Sequence, residues 1–73
     1  MDSQQTWIVT VSHTHIEQIS TVVTSLEHTG LHVQQVLSTL GQVIGQAPEE
    51  KVEELKHVDG VESVDKEQRF GIL

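Results

Sequence analysis

The stretch Gly41–Asp65, GQVIGQAPEEKVEELKHVDGVESVD, constrains this chain most, because both of its joints are punctuated. Pro48 stands where a helix begins, and its missing N–H costs nothing there. Glu49 and Glu50 follow in the first turn, where negative charge suits the helix dipole. Val52, Leu55 and Val58 recur at helical spacing and give one apolar stripe. Lys56 and His57 fall in the last turn, and Gly60 is placed to take the left-handed stop position. Val61 then opens a short strand that keeps an apolar position at Val64. The segment reads strand, helix, strand: Gln42–Ala47, Glu49–Val58, and a closing strand from Val61.

The rest of the chain supplies a matching half. Residues 1–5 read as a loose end. Thr6–Ser12, TWIVTVS, alternates: Trp7, Val9 and Val11 share one face, Ile8 and Thr10 the other. An apolar residue on each face fits a central strand. Thr14 and Glu17 have capping-box spacing. Ile16, Ile19, Val22, Val23 and Leu26 then mark a helix that Gly30 closes. Its interior, Ser20–Ser25, is rich in β-branched and hydroxyl residues, so this helix depends on packing and not on propensity. Leu31–Leu40 reads as a second strand in which Val36 falls out of phase with Leu31 and Val33, which predicts a bulge near Gln34-Gln35. Gly41 marks a turn, and Gly45 leaves room for a close approach inside the third strand. The order β-α-β-β-α-β predicts an α+β, ferredoxin-like fold. Two helices cover one face of a four-stranded antiparallel sheet, the first and third strands are central, and the other face is left bare. Lys66–Leu73, KEQRFGIL, is a tail whose Phe70, Ile72 and Leu73 are exposed unless something covers them.

With 73 residues the chain is one domain at most. A chain this short hides only about 60% of its extended surface. It has no cysteine, so neither a disulfide nor a thiolate metal site can staple it, and a reducing compartment suits it. The opening MDSQQTW lacks Lys and Arg and does not read as a signal peptide, so a cytoplasmic location is expected. No apolar run reaches the roughly 20 residues a membrane span needs. Net charge is −7, from 11 acids against 4 bases, and the first forty residues contain no Lys or Arg. Such a surface repels phosphate backbones and anionic membrane, so neither nucleic acid nor membrane is an expected partner.

Residue inventory narrows the functions this fold can carry. RNA-reading members stack bases on sheet aromatics, and here Trp7 and Phe70 are the only aromatics besides histidine. Metal-carrying members need a cysteine pair, and the small phosphate-cleaving enzymes need an Arg and an Asn; this chain has only Arg69 and no Asn. His13-x-His15 would put two imidazoles on one side if the first strand ran that far, but a structural site wants four ligands. His28 and His57 lie near helix ends, and His32 stands apart. Ser12 beside His13 is no catalytic pair, since neighbours on a strand point apart. Lys51 and Lys56 sit among Glu49, Glu50, Glu53 and Glu54 on a solvated helix face, not in the apolar pocket a Schiff-base lysine needs. No enzyme activity, metal or cofactor is expected.

The segment IGQAPEEKVEELKHVDGVESVDKEQ resembles the C-terminal half of the subtilisin propeptide-like inhibitors, the prodomains of subtilisin-type serine proteases and their free-standing relatives. The shared pattern is a strand, an acidic helix with Leu55 near its end, the Gly60-Val61 turn, and a closing strand with Val61, Val64 and Asp65. The resemblance covers roughly a third of the chain. It implies a free-standing inhibitor or folding helper of a subtilisin-like protease. The open sheet face would pack on two surface helices of the enzyme, and the tail would enter its active cleft as an added strand. Carried over, the protease-binding tail is Phe70, Gly71, Ile72 and Leu73. Leu73 would lie next to the catalytic serine, with Gly71 and Ile72 behind it, and Phe70 in the large apolar pocket. The alternatives are a tail folded back on its own domain or forming a short fifth strand, and a different function altogether. That function is a self-associating homodimer or ligand-sensing module using the bare face or an edge strand. The loop Ser12–His15, SHTH, lacks the glycine that amino-acid-sensing domains of this plan present, which makes ligand sensing the weaker form.

Overall fold

A computed structural model describes residues 4–67. Their elements are β1 (Gln4–Val11), a 3₁₀ turn (His13–Gln18), α1 (Ile19–Thr29), β2 (His32–Leu37), β3 (Gln42–Pro48), a second 3₁₀ turn (Glu49–Lys51), α2 (Val52–Lys56) and β4 (Val61–Lys66). The four strands form one antiparallel sheet in the order β2-β3-β1-β4. This is the ferredoxin-like arrangement, with β1 and β3 central as their double-faced apolar pattern predicts.

The alternation in β1 and β3 decides which face the helices cover. Trp7, Val9 and Val11 on β1 and Val43 and Ala47 on β3 are buried. Val22 and Leu26 of α1, Leu31, Leu55 of α2 and Val64 of β4 close over them, and Ile16, Ile19, Val23, Val52, Val58 and Val61 pack around the rim. Fully burying one such aliphatic side chain stabilises the fold by about 1.5–3 kcal/mol. The Trp7 indole N–H is not wasted in this apolar layer: it donates to the Ala47 carbonyl at 2.9 Å.

Local chemistry departs from the sequence reading at several joints. Gln4 and Gln5 belong to β1 instead of a loose end. The Thr14–Glu17 capping box does not form. Ser12 stands at the start of the turn, and the Thr14 hydroxyl is shared between the Ser12 hydroxyl (3.2 Å) and His15 Nδ1 (3.1 Å). Within α1, Thr24 and Thr29 donate their hydroxyls to the carbonyls of Ser20 and Ser25, four residues back (3.1 and 2.9 Å). A helix of such residues is held by burial of Val22 and Leu26. It ends at Gly30, with the Leu31 N–H reaching back to the Leu26 carbonyl at 3.0 Å.

The second helix is shorter than Glu49–Val58. His57 Nδ1 lies 2.7 Å from the Glu53 carbonyl. The N–H groups of His57 and Val58 fall back on carbonyls only three residues earlier, at 3.1 and 3.2 Å, which tightens and ends the helix. Gly60 does take a positive φ, +94°, yet it serves the turn Val58–Val61 and not the helix stop. A Cβ there would stand 2.8 Å from Val22 Cγ2. The close approach expected at Gly45 is real: a Cβ would meet the His32 carbonyl oxygen at 2.7 Å and Leu31 Cγ at 2.8 Å. The bulge expected in β2 is also real, lying between Val33 and Gln35. A second one interrupts the β1–β4 ladder at Thr10–Val11. No helix among the described residues is long and apolar enough to cross a membrane.

Candidate protein-binding face

The strand registers fix what the helix-free face displays. One row across the sheet runs Gln35, Ile44, Ile8, Asp65. The row beside it runs Leu37, Gln42, Thr10, Ser63, and a third runs His32, Gln46, Thr6. Ile8 and Ile44 face one another at the centre, both half-buried and both outside the core. Cross-strand neighbours of this kind shield one another but leave apolar surface in water. Around them stand Thr and Gln side chains. Asp65 carries the one fixed charge in the three rows, and the Ser63 hydroxyl approaches it at 3.5 Å.

Most of the charge of the molecule lies elsewhere. Glu17, Glu27, Glu49, Glu50, Glu53, Glu54 and Asp59 are on the helices and their adjoining turns, with Lys51 and Lys56 among them. Between Glu27 and Glu49 the chain has no Asp, Glu, Lys or Arg, and this run builds β2, its turn and β3. Across its three rows the bare face thus carries a single fixed charge, Asp65 on the β4 edge, on a strongly acidic protein. Depletion of charge around an apolar centre is what distinguishes protein-binding patches from ordinary surface. The signal for it was present in the sequence as the charge-free run. What periodicity does not give is that Ile8 and Ile44 meet, since that needs the register.

The tail residues singled out as protease-binding, Phe70, Gly71, Ile72 and Leu73, lie outside the described residues. The chain can be followed to Glu67, whose N–H donates to the Thr6 carbonyl at 2.9 Å. Glu67 thus sits beside β1, at the opposite end of β4 from Gly60.

The histidines do not converge. β1 ends at Val11, so His13 and His15 sit in the 3₁₀ turn and the strand geometry that would align them is absent. Among the described residues no three His, Cys, Asp or Glu side chains gather as metal ligands would. His15 instead reaches across to Asp59, Nε2 to Oδ2 4.0 Å, a pairing invisible in sequence because two helices and two strands separate the two. Asp59 is almost fully exposed, and an open pair of this length contributes little. Between α1 and α2 lies a shallow groove of about 730 Å³ with Ser25, His28, Lys51, Glu54 and His57 on its walls. Its charges are engaged locally: Lys51 Nζ lies 3.6 Å from Glu54 Oε1, and His57 is turned to the Glu53 carbonyl. Nothing there aims several polar groups at one point.

The chain matches no protein-family model, no curated protein and no solved structure.

Proposed function

We propose that this protein is a non-catalytic inhibitor or folding helper of a subtilisin-like serine protease, docking by its bare sheet face and placing Phe70–Leu73 in the active cleft. The observation that carries the reading is the charge-poor face centred on Ile8 and Ile44, with Asp65 its single fixed charge in the three rows, on a chain whose net charge is −7. Two further features support it. The ferredoxin-like topology is the plan that the resemblance in residues 44–68 implies. Glu67, the last described residue, is bonded to Thr6 at the edge of that same sheet, so a face contact and a tail contact would fall to one partner. Linking two contacts in this way raises affinity without new surface, because the second engagement is intramolecular.

The test is inhibition of a purified subtilisin by the full chain, by a chain lacking Phe70–Leu73, and by Ile44→Asp. The full chain slows the enzyme at micromolar concentration. Deleting the tail abolishes inhibition with the circular dichroism spectrum unchanged, and Ile44→Asp weakens it at least about 10-fold, a loss of roughly 1.4 kcal/mol. A full chain without effect on any subtilisin at that concentration overturns the proposal.

A further inference from the structure

The sheet has two edges, and they differ in a way that the protease reading does not use. β4 carries Glu62, Asp65 and Lys66, followed by Glu67. Charges of this kind along an edge prevent a second strand from adding to it. β2, HVQQVL, carries none. Its outer side still presents the alternate backbone N–H and C=O groups that β3 leaves unpaired. Val36 on this strand is 41% exposed, and Leu40 in the adjoining turn is 66% exposed; they are the large apolar side chains most open to water among the described residues.

The geometry points to a second copy of this chain as the occupant of that edge, joined antiparallel β2 to β2 across a twofold axis. Three observations choose this occupant. First, two copies that each carry −7 repel, and the charge-free run between Glu27 and Glu49 is the part of the surface where they can meet with their acids held apart. Pairing at β4 would instead set Glu62 and Asp65 against their own copies. Second, the bulge makes β2 complementary to itself. In a regular strand, residues three apart point to opposite faces. Here Val33 pairs with Gly45 and Val36 with Val43, so both point to the helix side, while His32 and Leu37 pair with Gln46 and Gln42 and point to the bare side. A twofold axis between Gln34 and Gln35 therefore sets Val33 opposite the partner's Val36, and His32 opposite the partner's Leu37. Every such pair shares a face, as antiparallel neighbours must. Third, the exposure of Val36 means that the chain's own helices do not cover this end of the helix-side face, and a second copy would. The product is a continuous eight-stranded sheet with both helix pairs on one side and both bare faces on the other, so docking of a partner on Ile8 and Ile44 stays open.

The experiment is sedimentation velocity on the full chain over a series from micromolar to millimolar, with Val36→Lys and Ile44→Lys alongside. The account expects a concentration-dependent doubling of mass for the unaltered chain. The doubling strengthens as salt is raised, because salt screens the repulsion between the two acidic copies. Val36→Lys adds a charge to an exposed edge position; it loses the dimer at every concentration and keeps its circular dichroism spectrum. Ile44→Lys, on the bare face, keeps the dimer. Amide exchange of β2 slows with concentration in the unaltered chain and not in Val36→Lys. A unaltered chain that stays monomeric up to millimolar concentration overturns the inference. So does a dimer that survives Val36→Lys or is lost in Ile44→Lys.

Discussion

The two faces of the one sheet are built from the same strands and solve different problems. On the helix side, Trp7, Val9 and Val11 of β1 and Val43, Gly45 and Ala47 of β3 are closed to water. On the bare side the residues between them are Thr, Gln and Ile, each half-exposed. Val43 and Ile44 are neighbours of similar size and chemistry. Val43 is fully buried and belongs to the core, whereas Ile44 is half-buried and lies opposite Ile8 outside it. What the difference teaches is that hydrophobicity alone does not assign a residue to stability. The helix side holds the core, and the apolar pair on the bare side lies outside it.

The largest expected effect breaks the covered face. Trp7→Ala removes a buried indole and its hydrogen bond to Ala47, at a cost of about 3–5 kcal/mol. A chain of this size has stability on the order of 5 kcal/mol, so the variant is substantially unfolded at room temperature by circular dichroism. Gly60→Ala tests how tightly the turn holds the helix side together. A Cβ at φ +94°, driven toward Val22, costs about 1–3 kcal/mol and lowers the midpoint of urea unfolding without abolishing the transition. The smallest effect sharpens the comparison between the faces. Val43→Thr buries a hydroxyl in the core and costs about 1–3 kcal/mol, while Ile44→Thr, with its hydroxyl in water, costs under about 1 kcal/mol. Equal urea midpoints for that pair of variants would mean the two faces are alike, and the distinction drawn here would fail.

Much of this was legible in the residues. Alternation in TWIVTVS located a central strand and sorted its residues into two faces, and the phase slip at Val36 located the bulge. Gly45 announced the close approach of Leu31 and His32. Gly30 marked the end of α1, but the start of the first helical segment and the end of α2 were not legible, because competing groups settled them. Thr14 had the spacing of a cap, but the neighbouring Ser12 and His15 side chains took its hydroxyl. The apolar stripe continued to Val58, but His57 turned its ring on the Glu53 carbonyl and the helix closed at Lys56. The candidate face shows the same division. The charge-free run of β2 and β3 stands in the sequence, whereas the meeting of Ile8 and Ile44 depends on a register that only folding supplies.

The most direct test of the central claim, that the uncovered face exists to meet another protein, is to titrate isotopically labelled chain with an active-site-blocked subtilisin and follow amide shifts by NMR. With the cleft blocked, the tail cannot enter it and the sheet contact is read alone. The account predicts changes concentrated on Thr6, Ile8, Thr10, Gln42, Ile44 and Gln46, with α1 and α2 undisturbed. Changes confined to the helices, or none at saturating enzyme, would contradict it.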